Sequence, residues 1–477
     1  MTRIAYILTM LVPLCLLSQL AQANTDLYTN LTIIDPEKET RTTPSYIVVR
    51  DGRIINVGSG KPSRASLGGA HVHDMRGRYA LPGFIDAHAH LTLGPQLIEM
   101  HAGAPSITFK SDDAVSQRYA KIALAYGVTT IRNPGGETAA NARYLQQIAN
   151  GEWIGPAMLS AGAIIEPPPF AAPYFAYPRT EAEWNAEAAH QAAQGMMYFK
   201  LYSELSEAEV ATGIRIAHEH GLKAIAHLNT VSWTRAAQLG IDGLEHALAT
   251  SPDLLEPAAR TTYLAELGPN SKFMYRWYEL ADYDGPRMQE MIRLVVAKKI
   301  ALDLTLVANE IIYNADDLDR AYPAEFRRYE DPKTLESALT GLRLSTTGWT
   351  PEDFSRARAV MPKVLRLARI LYESGATMMI GTDGHGGSWY YGQELKLHAQ
   401  AGIPTWAVLR MATSQAAAIL GIDDHTGRIA PGLDADIAFL DRDPVENVSN
   451  TGGVYAVLSK GRYFESAKLL QDLENGM

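Results

Sequence analysis

The sequence predicts an α/β fold: a (β/α)8 TIM barrel with a small flanking β-domain built from both chain ends. Two observations carry this. Eight short apolar or β-branched runs alternate with amphipathic stretches through the middle of the chain, as repeated βα units require. Glycine-punctuated, alternating apolar and polar segments occupy both ends, which is strand-and-turn composition.

Taken in order, the chain opens on an address rather than a fold. Arg3 supplies a short positive region, Ile4 to Leu17 is apolar, and Ala21-Gln22-Ala23 offers a small-residue cleavage site. Residues 1–23 are therefore expected to be a secretory signal peptide, cleaved after Ala23, which places the mature protein in the periplasm or outside the cell. The single cysteine, Cys15, lies inside that leader. A mature chain without cysteine has no disulfides, no thiolate metal ligands and no cysteine nucleophile. Residues 24–83 read as the N-terminal part of the β-domain, through SYIVVRDGRIINVG and MRGRYALPG. Residues 84–424 hold the eight barrel runs: FIDAHAHL, GVTTIRN, AMLSAGAII, YFKLYS, KAIAHLN, GLEHAL, ALDLTLV and TMMIGTDG. Residues 425–477 return to strand composition in GRIAPGLDADIAFLDRDP and VYAVLSKGRYFE. Two stretches exceed what a barrel needs, Pro167 to Pro178 and about 309–350. Long segments at the C-terminal face of a barrel shape a substrate pocket or a lid, and a homo-oligomer contact is their other reading.

A chain of 477 residues with 47% hydrophobic content can bury a large core. Its formal net charge of −10 and lack of a basic stripe argue against nucleic acid as a partner. Beyond the leader there is no apolar run long enough to span a membrane. A small-molecule substrate is the partner class left.

Potential metal ligands recur at the ends of the strand-like runs. His88 and His90 are two apart on a strand and so share a face, and two neutral imidazoles form half of a site for zinc or a similar ion. Lys200, His227, His246 and Asp383 follow in barrel order, and a closed barrel gathers such strand ends on one face. Each has an ordinary alternative: a buried lysine paired with a carboxylate, a satisfied core histidine, an aspartate capping a turn. His71 and His73 repeat the same spacing in the terminal β-region. With no matching partners in sequence, they read as a solvent-facing strand edge.

The motifs LPGFIDAHAH, GVTTIRNPGG, YFKLY, AIAHL, GLEHAL and IGTDG, with the tail ATSQAAAILGIDDHTGRIAPGLDADIAFLDRDP, resemble the amidohydrolase superfamily. The likeness covers nearly the whole mature chain. It is strongest to the branch holding bacterial dipeptidases that act on Xaa-Pro and related dipeptides, and to relatives of imidazolonepropionase. The resemblance implies two divalent metal ions, expected to be zinc: one on His88, His90 and Asp383, the other on His227 and His246. It implies that Lys200 bridges them as a carbamate formed with CO2. A buried bare lysine cation is costly, and a depressed pKa leaves a free amine able to react. It further implies that a metal-activated water attacks a C–N bond while Asp383 shuttles the proton.

Four residues are weaker candidates for substrate contacts. Tyr202 and Arg132 could meet a substrate carboxylate or serve as structural hydrogen-bond partners. His385 could orient a ligand or touch substrate. Trp389, in the run after the eighth strand, could wall the pocket or simply pack on the rim. Within the same superfamily, mononuclear deaminases usually carry a Glu three residues after the fifth-strand histidine. Thr230 stands there instead, and Lys200 is retained, which favours an amide hydrolase of a dipeptide or N-acyl amino acid. A cyclic-amide or lactone hydrolase has a similar metal set. An inactive periplasmic binding protein is the reading from another class, and the intact ligand set speaks against it.

Overall fold

The computed structural model describes residues 25–62, 69–101, 104–268, 271–384 and 388–475. The expected leader at 1–23, with Cys15, lies outside these residues, as does His385.

Alternation at the N-terminus folds into β1 (Thr25–Asp35), β2 (Thr40–Arg50), β3 (Arg53–Ser59) and β4 (His71–Pro82). The eight apolar runs each contain a strand: β5 (Phe84–Asp86), β8 (Val128–Asn133), β9 (Ala157–Ser160), β12 (Tyr198–Leu201), β13 (Lys223–Ala226), β14 (Gly243–Glu245), β15 (Ala301–Asp303) and β16 (Thr377–Met379). Between them lie a hairpin, β6 (Gln96–His101) and β7 (Ala104–Phe109), and the short β10 (Ile164–Ile165) and β11 (Phe175–Ala176). The C-terminus supplies β17 (Ile437–Leu440), β18 (Val454–Ser459) and β19 (Arg462–Glu465).

The middle of the chain is α/β, and apart from the antiparallel β6–β7 hairpin its strands pair in parallel. β5 pairs β8 and β8 pairs β9. A parallel bridge from Ala161 to Tyr198 continues to β12, and β12 through β16 follow in order. Hydrogen bonds then run from the last strand back to the first: Ala87 N–H donates to the Ile380 carbonyl (2.8 Å), and Asp383 N–H to that of His88 (2.8 Å). The buried Asp86 carboxylate reinforces this seam by accepting from Thr382 Oγ1 (2.7 Å) and the Thr382 amide (3.1 Å). Ile85, Leu159, Tyr198, Ile225 and Met379, one from each of five strands, form one buried cluster. Each full burial of this kind contributes about 1.5–3 kcal/mol. The intervening helices start on local caps: Ser206 with Glu209 and Thr350 with Asp353 form capping boxes.

Strands from both chain ends pair in one seven-stranded sheet, ordered β19-β18-β17-β4-β1-β2-β3. Tyr28, Ile47, Ile54, Phe439 and Leu458 belong to its own buried cluster. The expectation that His71 and His73 lack partners is corrected here. β4 runs between β1 and β17, and its parallel register sets Asp26 opposite His71 and Tyr28 opposite His73. The partner comes from a neighbouring strand, which spacing along β4 alone does not reveal.

The two long stretches also take definite form. The 167–178 segment carries β11, and its Ile107–Phe170 bridge ties it to the hairpin. The later stretch is largely helical, with helices Leu306–Tyr313, Leu318–Ala321, Ala324–Arg327 and Pro332–Ser345. Among the described residues no helix is long and apolar enough to cross a membrane.

Candidate functional site

The C-terminal ends of β5, β12, β13, β14 and β16 carry His88 and His90, Lys200, His227, His246 and Asp383 to one place. His88, His90 and Asp383 bring three donor atoms within 4.8 Å of one another. Asp383 Oδ1 lies 3.3 Å from His88 Nε2 and 3.4 Å from His90 Nε2, and its Oδ2 is 3.9 Å from His246 Nδ1. His246 stacks edge-on to His227, with ring centres 4.4 Å apart, and lies 4.7 Å from the His88 ring. The approach requires Gly381: a Cβ there would sit 2.7 Å from the His88 Cβ. His246, Thr305 and Asp383 all adopt positive φ, +63°, +42° and +55°. Such conformations cost roughly 1–3 kcal/mol in a non-glycine residue and gather at functional sites.

Each histidine is aimed by its other nitrogen. His88 Nδ1–H donates to Asp303 Oδ1 (2.6 Å), and His90 Nδ1–H to the Gly135 carbonyl (3.0 Å). His246 Nδ1 pairs with Thr305 Oγ1 at 2.8 Å. This pattern turns the opposite nitrogens of His88 and His90 toward Asp383, the arrangement by which a second hydrogen bond orients metal-binding histidines. His227 Nδ1 is buried without a hydrogen-bond partner, a site-facing lone pair that a cation would satisfy. Burial pushes His227 down to about 3 and His246 well below the usual imidazole range, so both are neutral donors at pH 7. Burial also lowers His90, while the Asp303 and Asp383 carboxylates outweigh it and raise His88. Asp383 is half-buried, and the desolvation this brings would raise it, yet His246 and hydrogen bonds from His88 and His90 hold it well below the ordinary carboxylate range. Four imidazoles, a carboxylate and a lysine form a nitrogen- and oxygen-rich set that fits zinc or a similar divalent ion.

Lys200 is buried, and its Nζ contacts the Glu245 carboxylate. Burial, helped by the Arg132 charge and opposed by Asp303 and Asp383, pulls it down to about 7. Arg132 sits deeper. Its Nε donates to the Ala87 carbonyl (2.6 Å), and its Nη2 to Asp303 Oδ2 (2.6 Å) and Glu245 Oε1 (3.0 Å). These contacts match a structural partner rather than a substrate contact, because the guanidinium is enclosed and its donors face protein acceptors.

Tyr202 lies edge-on to His227 at 4.8 Å, and burial raises its hydroxyl above the ordinary phenol range. Trp389 packs on the rim: it stacks on Phe326 at 4.4 Å and donates to Glu330 Oε1 (2.9 Å). Its neighbour Tyr390 lines the cavity instead. Sequence reasoning passed over Glu245, Asp303, Thr305 and Tyr174. The signal available was a carboxylate inside an apolar strand, Glu245 in GLEHAL and Asp303 in ALDLTLV. Tyr174, whose hydroxyl donates toward the Gly135 carbonyl (3.2 Å) beside His90, had no such signal.

Asp383 opens onto a cavity of about 1330 Å³. Its walls come from the hairpin, the 167–178 segment and the later helices, and include Ile98, Phe109, Phe170, Leu267, Ile311 and Leu342. The volume exceeds the roughly 300–1,000 Å³ of ordinary small-ligand pockets.

The Amidohydrolase family model matches residues 79–463. Imidazolonepropionase of Streptococcus gordonii (strain Challis) is 44% identical over 50 residues, which span 10% of this chain and 12% of that protein. A crystal structure of a Xaa-Pro dipeptidase with methionine bound in its active site superposes with a TM-score of 0.66 at 19% identity. It covers 93% of this chain and 100% of that one. Bottromycin amidohydrolase superposes with a TM-score of 0.68 at 20% identity, covering 95% of this chain and 90% of that one. At these identities the two structures show a shared fold.

Proposed function

The chain belongs to the Amidohydrolase family, and from that premise we propose that it is an exported dipeptidase or N-acyl amino acid hydrolase acting on a substrate with a bulky apolar acyl side. Membership supports a metal-dependent hydrolase of C–N bonds. The single observation that carries the substrate class is the large, apolar-walled cavity ending at Asp383. A small polar dipeptide would leave most of it empty, whereas a long or aromatic acyl group would fill it.

In this reading His88, His90 and Asp383 would hold one divalent ion, expected to be zinc, His227 and His246 would hold the other, and Lys200, as a carbamate, would contribute to both. Such ions polarise a carbonyl and lower the pKa of water. The chain's own residues do the rest. Asp383, held as a carboxylate, accepts the proton of the attacking water and returns it to the departing amine. Asp303, Thr305 and the Gly135 carbonyl fix the histidine rings, so no reorientation is needed during turnover. The Lys200 amine, deprotonated near its lowered pKa of about 7, would add CO2 with loss of a proton, becoming an anion and leaving Glu245 to Arg132, which already donates to it. The site's depth and the run-back of hydrogen bonds from β16 to β5 support a closed (β/α)8 barrel at about 84–424, with residues 24–83 and 425–477 forming the flanking β-domain. Export rests on the composition of residues 1–23, and a mature N-terminus at Asn24 is its direct check.

The test is mass spectrometry of a pooled library of dipeptides, N-acyl amino acids and aminated heterocycles after incubation with metal-loaded protein, with a chelator-treated control. Metal-dependent loss of N-acyl amino acids or dipeptides with bulky apolar acyl sides is the expected result. Ammonia release from the heterocycles with peptides and acyl compounds untouched would overturn it in favour of a deaminase.

A further inference from the structure

A second set of metal donors lies on the terminal sheet, on strands that take no part in the parallel pairing of the barrel strands. On β1 and β4 the parallel register places Asp26 beside His71 and Tyr28 beside His73. His73 Nε2 is 2.9 Å from Asp26 Oδ1 and 3.0 Å from His71 Nδ1, and His71 Nδ1 is 3.6 Å from the same Asp26 oxygen. Three lone-pair atoms therefore converge on one point. Neutral imidazoles cannot satisfy all three contacts with protons. If His73 Nε2–H is shared between Asp26 and His71 Nδ1, the two acceptors face each other lone pair to lone pair at 3.6 Å; if His71 Nδ1–H donates to His73, the Asp26 oxygen faces a bare nitrogen lone pair. A cation resolves both conflicts.

We propose that Asp26, His71 and His73 bind a divalent transition-metal ion, zinc by the match of its ligands, at a structural site separate from the barrel centre. A point equidistant from the three atoms lies about 1.9 Å from each within their plane. An ion displaced by less than about 1 Å toward solvent then sits at the roughly 2.0–2.1 Å zinc takes to imidazole and carboxylate. Two imidazoles with one carboxylate is a donor set zinc accepts, and water completes the shell on the open side. The His73 ring is already fixed, stacked on Tyr28 at 4.6 Å and 9° and on Tyr463 at 5.5 Å. His71 is 73% exposed at its side chain, so it closes over the ion from the solvent side. The bound ion adds a coordination tie between the start of β1 and the start of β4, beside their register and the Tyr28–His73 stack.

The experiment is zinc content per chain, by elemental mass spectrometry after equilibrium dialysis of the full protein at pH 7.5. Wild type is expected to hold one zinc more than the His71→Ala/His73→Ala variant. His71→Ala alone and Asp26→Asn, which leave the Tyr28–His73–Tyr463 stack in place, are expected to lose the same single ion if the sheet of the double variant is disturbed. Hydrogen exchange reads the site independently of the barrel: zinc slows exchange at the start of β1 and β4 in wild type and not in Asp26→Asn. Equal zinc counts in wild type and all three variants, or zinc-induced protection that survives Asp26→Asn, would overturn the assignment.

Discussion

Replacing Arg132 by Met removes the one cation that holds two buried carboxylates together beneath the histidines. Its Nη2 lies 2.6 Å from Asp303 and 3.0 Å from Glu245, and its Nε satisfies the Ala87 carbonyl. At an effective dielectric near 20 each ion contact is worth about 6 kcal/mol of gross attraction. Most of that offsets desolvation, so breaking the network should cost about 3–5 kcal/mol of stability. Arg132→Lys keeps the charge but cannot present a fork to three acceptors, and should recover only part of the loss. Urea unfolding in the presence of a chelator, followed by tryptophan fluorescence, measures this without metal linkage. In a double-mutant cycle, Arg132→Met with Asp303→Asn should cost less than the sum of the singles, because the stranded carboxylate is gone. A loss below about 1 kcal/mol for Arg132→Met, or strictly additive singles, would refute the view that the network is coupled.

Three further outcomes are expected. Lys200→Ala should lower both the metal content and kcat/KM, the latter by more than about 100-fold; a carbamate signal from 13C-bicarbonate should appear by NMR in wild type only, and two metals with full activity in the variant would exclude a bridging role. Ala308→Trp, at the cavity wall, should raise KM roughly tenfold or more for long-chain N-acyl substrates while sparing N-acetyl ones; equal effects on both would detach the cavity from acyl binding. Burial raises Glu330 to about 7, so the folded state keeps a proton that the unfolded chain releases from about pH 4.5 upward. Wild-type stability is therefore lost as pH climbs to 7, by about 3 kcal/mol. Glu330→Gln should gain on wild type by that amount between pH 4.5 and 7.5, measured by urea midpoints at both values.

The strand ends were legible because the barrel strands are short and mostly apolar, and histidines or an aspartate follow them within a few residues. His88, His227, His246 and Asp383 fall into that pattern. The α/β character and the mixed origin of the terminal sheet followed from the same change of periodicity. What stayed hidden depends on pairings through space. Arg132 reads equally as a substrate contact or a structural partner until Asp303, 171 residues away, is seen to claim it. The hairpin at 96–109 carries little alternation, since both of its faces meet apolar walls or solvent. The helices after Thr305 read as an irregular insertion because their apolar residues divide between the core, as Leu306, Val307 and Tyr313 do, and the cavity wall, as Ile311 and Leu342 do. Asp26 gives no hint of its histidine neighbours, because β-sheet register is decided by strands far apart in the chain.

The terminal sheet also sets the order in which the molecule can be completed. β4 pairs with β17 across roughly 350 intervening residues, so the first strands made must wait for nearly the last. Until then the flank of β4 that receives β17 is an open ladder, able to pair with any extended chain nearby. Such long-range closure is slow compared with the local βα units between. The barrel can therefore form while its two ends are still apart, and the joining of the ends becomes the final, rate-setting event of folding. Once joined, β1, β4 and β17 are interior strands of the sheet, each held along both sides.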